Sequence, residues 1–198
     1  MSRNNMQTRM FATRMKARAE PEGDMILEAD FAVFGKETEL FPGGYEEIEH
    51  GAFSECLKDD IRALINHDTT LVLGRTKSGT LSLEETSEAL HGKIIINPND
   101  SDAVNLYERV KRGDVDQCSF GFDILEEDTE WREDGTVKWT IKKVKLYEVS
   151  PVTFPAYEDT AVQARGKEVE KRKQEVLQQR KNKLKERFEN GIKGIGLK

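Results

Sequence analysis

The 198-residue chain predicts an α+β fold that is mainly β. Three observations carry the prediction. Short apolar stretches of strand length recur from Met25 onward and are separated by turn residues. Helical spacing interrupts them in only a few places, and no regular strand–helix–strand alternation of the kind that builds a parallel sheet is present. A mixed sheet or β-barrel with surrounding helices follows, and no internal repeat stands out.

The elements read in order as follows. Residues 1–22, with four methionines and scattered arginines, end in Glu20-Pro21-Glu22-Gly23 and read as a flexible basic arm. An apolar pattern from Met25 to Phe34 predicts the first strand. Gly43-Gly44 marks a turn before Tyr45–Ile48. Ala52, Phe53, Cys56 and Leu57 have helical spacing and predict a short helix over 51–57. Strands are expected at 61–66, 71–75, about 80–85 and 89–96, with a turn at Ser78-Gly79. Asn97-Pro98-Asn99-Asp100-Ser101 breaks the pattern and offers an N-cap. Ala103, Val104, Leu106, Tyr107 and Val110 then give the stripe of a helix that stops at Gly113. A strand at about 115–125, a polar hairpin over 126–135 and a return strand from Trp139 to Val149 complete the body. Residues 166–190 form a helix rich in Glu, Lys, Gln and Arg. Its thin seam of Val169, Val176, Leu177, Leu184 and Phe188 is too narrow for a core helix, and Asn190-Gly191 supplies a C-cap. It fits either a solvated surface helix or one that docks on another copy or on a partner protein.

Three segments hold side chains that a purely structural role leaves unexplained. In the strand around Asp116–Ile124, Cys118, Phe120, Phe122 and Ile124 share one apolar face. Ser119 and Gly121 share the other. Ser119 is thus expected to present an exposed hydroxyl on a rigid element, as a nucleophile requires; the bland alternative is a solvent-facing serine. Cys118 is the rival nucleophile but belongs to the core face. His67 follows the apolar run Ala63-Leu64-Ile65 at a strand end, where functional side chains collect. Glu148 falls on the same face as Val144 and Leu146, so a carboxylate lies on the buried side. Such a charge needs a partner. A Lys or Arg is the ordinary choice.

These segments, in one order, resemble a known family. The series is Asn66-His67-Asp68, Leu73-Gly74-Arg75-Thr76, Ser78-Gly79-Thr80-Leu81, Val110-Lys111-Arg112-Gly113-Asp114-Val115, Cys118-Ser119-Phe120-Gly121-Phe122 and Leu146-Tyr147-Glu148-Val149-Ser150-Pro151-Val152-Thr153-Phe154-Pro155-Ala156-Tyr157. It is similar to the prohead maturation proteases of tailed bacteriophages, serine peptidases related to the herpesvirus capsid protease assemblin. The resemblance spans about residues 25–162. It implies a herpesvirus-protease-like closed or partly closed β-barrel. It also implies Ser119 as nucleophile and His67 as general base. The third member in the herpesvirus enzymes is a second histidine; here the best-placed group is Glu148, and backbone amides within Ser150–Ala156 are the expected oxyanion donors. The implied substrate is a major capsid protein or scaffold precursor, and the protease itself. The implied setting is the assembling procapsid in the cytoplasm of a bacterial host. The relatives act as dimers, so a homo-oligomer is expected. The implied layout is an arm over 1–22, a peptidase domain over 23–163 and a basic helical tail over 164–198.

Composition narrows the remaining classes. No apolar run approaches the roughly 20 residues of a membrane span, and the N-terminus lacks the apolar segment of a secretory signal. Cys56 and Cys118 are too few for a disulfide framework. With three histidines and no Cys-x-x-Cys pair, neither a metal nor another cofactor is expected. Net charge is −6, but residues 1–18 carry five basic and no acidic residues. Residues 165–198 carry twelve basic against five acidic, so the stretch between them holds −18. Basic ends on an acidic body could bind nucleic acid or an acidic protein surface. Phe188 alone interleaves with the tail's basic residues, so nucleic-acid stacking is not indicated. Two other activities remain open: a non-enzymatic capsid-assembly scaffold, and a metal-assisted hydrolase using His67, Asp68 and Glu148.

Overall fold

The structure, a computed structural model, describes residues 7–11, 15–19, 23–154 and 160–194. Its axis is a long antiparallel hairpin, β10 (Gln117–Trp131) and β11 (Val137–Val152). Asp134 accepts from Thr136 N–H and Gly135 takes a left-handed φ of 86°, closing the turn between them. The polar hairpin expected over 126–135 is therefore longer strand and a shorter turn, because Glu126–Trp131 still pair with β11.

The free edge of β11 takes two short strands end to end, both parallel to it. They are β5 (Gly44–Ile48) beside Val137–Ile141 and β6 (Arg62–Ile65) beside Glu148–Val149. β4 (Thr38–Phe41) pairs with β5, and β7 (Asp68–Arg75) pairs with β6. On the other edge β1 (Gln7–Phe11) lies antiparallel to β10. A second sheet runs in the order β2 (Lys16–Ala19), β3 (Met25–Val33), β9 (Ala89–Ile95), β8 (Leu81–Glu85). The fold is α+β and mainly β. Backbone pairing among the described residues makes two open sheets, and the closure expected of a barrel is not made by it.

Leu27, Phe31, Leu90 and Ile94 of the second sheet share one core with Phe120, Phe122, Val144, Leu146 and Val149 of the first. Phe53 meets Phe120 edge-on at 5.5 Å, an aromatic geometry of low energy. Gly92 is required in this layer: a Cβ there would lie 2.4 Å from a Phe31 ring carbon. Gly92→Ala should destabilise the protein by about 1–3 kcal/mol through overpacking, read as a lower denaturation midpoint.

α1 (Ser101–Arg112) follows the sequence pattern: the Asp100 carboxylate accepts from Asp102 and Ala103 N–H, and Gly113 ends it at φ 87°. The helix expected over 51–57 is a series of turns instead. Ala52, Phe53 and Cys56 are buried as predicted, but Ser54, Cys56 and Asp59 N–H each reach back only three residues. Apolar spacing reports burial there and not the bonding ladder. α2 (Thr160–Gly194) continues through Asn190-Gly191, the expected cap. Val169 is buried against Val137 and Trp139, and the Arg165 and Arg172 guanidinium groups lie 4.6 and 4.1 Å from the Trp139 and Trp131 rings. The tail thus docks on the far half of the hairpin, while Val176, Leu177 and Leu184 stay exposed. The arm is likewise tied down where it is described, as β1 and β2. No helix among the described residues is long and apolar enough to cross a membrane.

Candidate active site

β6 and β7 are joined by two residues, with Ile65 opposite Asp68. Asn66 and His67 take φ of 50° and 61°, the left-handed pair that a two-residue type I′ hairpin demands. Asparagine and histidine enter this region more readily than most residues, but two in succession still need to be held. The hold comes from the end of β11. Asn66 N–H donates to Pro151 O at 3.0 Å, Thr153 N–H donates to Asn66 Oδ1 at 2.8 Å, and Asn66 Nδ2 donates to Thr153 Oγ1 at 3.3 Å. His67 N–H reaches Ser150 Oγ at 3.3 Å. At the hairpin's other end the Arg75 guanidinium holds the Asp60 carboxyl down at about 2.

The turn lays the imidazole along β11. Its Nδ1 stands 2.8 Å from Glu148 Oε1, and the second Glu148 oxygen accepts from Ser150 Oγ at 2.5 Å. The buried carboxylate therefore has its partner, a histidine and a serine in place of the lysine or arginine that composition favoured. A bulge between Leu146 and Glu148 turns it off the face of Val144 and Leu146, where alternation put it, and onto the face of Ser150, opposite Gly121. His67 Nε2 is buried and has no hydrogen-bond partner among the described residues. Buried polar atoms are nearly always satisfied, so this exception calls for a reason.

Ser119 lies directly opposite Ser150 in the β10–β11 register. Opposed residues of an antiparallel pair hold their Cβ atoms about 5 Å apart on one face, so the hydroxyl sits on the patch that holds the imidazole. Ser119 is fully buried and not exposed as its alternation suggested, since β1 covers the edge of β10. The Ser119 hydroxyl donates to the Arg9 carbonyl at 2.9 Å. A hydrogen bond between Ser119 and His67 is not made in this state. Ser150 is what the three share, and sequence reasoning gave its side chain no role. Its position two residues after Glu148 on one strand face was the signal.

The rival nucleophile is out of place: the Cys118 thiol is fully buried and donates to Asp30 O at 3.3 Å. Asp68 is exposed and accepts from Thr70 N–H and Oγ1; no three His, Cys, Asp or Glu side chains among the described residues converge as metal ligands would. Of the expected oxyanion donors, Thr153 N–H is spent on Asn66, Pro151 has none, and Pro155 and Ala156 lie outside the described residues. An open cleft of about 370 Å³, lined by Asn66, His67, Val152, Thr153 and Phe154, adjoins the imidazole.

A family model of caudovirus prohead serine proteases matches residues 13–175. Among solved structures, the capsid assembly protease gp21 of bacteriophage T4 is similar at 8% identity and a TM-score of 0.44, over 74% of this chain and 98% of that one. No curated protein matches.

Proposed function

The chain belongs to the caudovirus prohead serine protease family, and from that premise we propose that Ser119, His67 and Glu148 carry out its peptide hydrolysis. It is a serine endopeptidase of procapsid maturation. One observation carries the assignment of residues: His67 has Nδ1 held by a buried carboxylate and Nε2 buried without a partner among the described residues. With the Nδ1 proton donated to Glu148, the lone pair stays on Nε2, where a general base needs it.

The chemistry runs in two halves. Nε2 takes the Ser119 proton as Oγ bonds to the scissile carbonyl carbon. The C–N bond then breaks, and the same proton passes to the leaving amine. Water attacks the acyl-serine ester, giving one proton to Nε2; Oγ leaves the carbonyl carbon and recovers that proton. Glu148 stabilises the imidazolium in both halves, and Ser150 fixes the carboxylate from its far side.

A capsid protein or scaffold precursor is the substrate, together with the protease's own termini, inside the assembling procapsid in the host cytoplasm. We extend the proposal to a homodimer and to a partly closed, herpesvirus-protease-like barrel walled by the two sheets. Arm (1–22), peptidase domain (23–163) and tail (164–198) then divide the chain by role. A purely scaffolding role does not fit a protease family member that keeps hydroxyl, imidazole and carboxylate on one patch.

A fluorophosphonate, reacted to completion and located by peptide mapping, tests the assignment. The label is expected on Ser119 and should vanish in His67→Ala, while iodoacetamide leaves activity intact. A label on Ser150, or none on Ser119 in an enzyme that still cuts capsid precursor, overturns it.

A further inference from the structure

β1 is a polar strand, Gln-Thr-Arg-Met-Phe, seated beside the nucleophile by backbone pairing. Thr8 lies opposite Gly121 and Met10 opposite Ser119, so the peptide between Arg9 and Met10 is the one at the Ser119 hydroxyl. That is how an extended substrate adds to a sheet edge. The one large side chain of β1 whose end is described inside the protein belongs to Arg9. Its Nε and Nη2 meet the two oxygens of Glu46 at 2.6 and 2.9 Å, a bidentate pair only 6% and 4% exposed, and its guanidinium carbon lies 5.6 Å from the centre of the Phe122 ring.

Glu46 sits on β5, which belongs to the body and stays when β1 leaves. A buried carboxylate left without a cation is costly, and the fold supplies one: Arg165 Nη1 of α2 reaches Glu46 Oε2 at 3.2 Å while its Nη2 bonds Glu127. Arg165 can keep Glu46 paired through Oε2 while Oε1, the oxygen held by Arg9 Nε, is vacated for an incoming guanidinium.

We propose that β1 occupies the substrate channel in the manner of a bound peptide. We further propose that Glu46 is the specificity-determining residue of this protease, selecting arginine on the acyl side of the bond that is cut. The inference rests on Ser119 being the nucleophile. The substrate is then an extended segment with arginine at the residue whose carbonyl meets Ser119, hydrogen-bonded along β10 after β1 has left. β1 shows the register of such a segment without its reactive geometry. The hydroxyl donates to the carbonyl oxygen and not to His67, so the bond is held and not attacked. Lysine would bind more weakly, because a single ammonium cannot make the paired contact.

The test uses the full chain and an internally quenched peptide carrying its residues 4–13, with Arg9, Gln or Glu at the central position. Cleavage is expected after the arginine, with kcat/KM about 100-fold lower for the glutamine peptide and lower still for glutamate. Glu46→Gln should shrink the arginine-to-glutamine ratio to within about 5-fold, mainly through KM on the arginine peptide. Equal turnover of the three peptides by the wild-type enzyme overturns the proposal without any variant. So does no cleavage of any of them by an enzyme that processes capsid precursor, or an unchanged ratio in Glu46→Gln. Fluorophosphonate mapping of the wild-type chain separates the two failures: a labelled Ser119 without arginine preference sinks only the specificity, whereas an unlabelled Ser119 sinks the nucleophile itself.

Discussion

Ser119→Ala should leave co-expressed capsid precursor uncut, with kcat/KM lowered by about 10⁴-fold or more, while the chain folds. Under the proposed assignment the change removes the atom that forms the acyl ester. The imidazole and Glu148 then have nothing to activate, since the Cys118 thiol points into the core and is committed to Asp30 O, and Ser150 is committed to Glu148 on the next strand in. The structural cost is one hydrogen bond to the Arg9 carbonyl. That is worth about 1 kcal/mol, or a fall of about 2–4 °C in Tm for a chain of this size. Processing by this variant at more than a hundredth of the wild-type rate would refute the assignment.

Glu148→Gln separates positioning from chemistry. The shape is kept and the charge is lost. Ser150 can still donate to the amide oxygen, which turns the NH₂ group toward His67. Nδ1 must then accept, so the proton resides on Nε2 and the base has no lone pair for Ser119. A drop of about 10⁴-fold in kcat is expected, with KM for capsid precursor within a few-fold and the melting transition little changed. A variant that keeps a tenth of the wild-type kcat would show that the carboxylate only supports the turn. Loss of folding in Glu148→Gln would likewise count against a catalytic carboxylate, because it would make the pair with His67 structural.

Glu148 and His67 are not equally legible in the sequence. Strand alternation puts Glu148 on the face of Val144 and Leu146 and so marks it as a buried carboxylate. The burial holds, but a bulge between Leu146 and Glu148 moves it to the face of Ser150, which strict alternation does not announce. The identity of its partner depends on a turn 81 residues away, whose left-handed backbone no local pattern announces. The same alternation finds Ser119 but gives it the wrong surroundings. Its cover comes from Gln7–Phe11, a segment without apolar periodicity that is held in place by backbone pairing and by the Arg9–Glu46 ion pair. The 51–57 segment misleads in the opposite way. Its apolar residues are buried as read, yet closely spaced turns bury them as well as a helix would.

By itself, the order of residues determined the strand-rich class, the capped helix over Ser101–Arg112 and the family that the chain resembles, and it singled out Ser119, His67 and Glu148 as candidates, since these rest on local spacing and motif. It also exposed the split between basic ends and an acidic middle. Only the folded chain decided where those charges go. Arg9 and Arg165 converge on Glu46, and β1 closes over Ser119. The physical reason is that strand pairing and buried ion pairs join groups tens of residues apart, through backbone hydrogen bonds that every sequence carries alike.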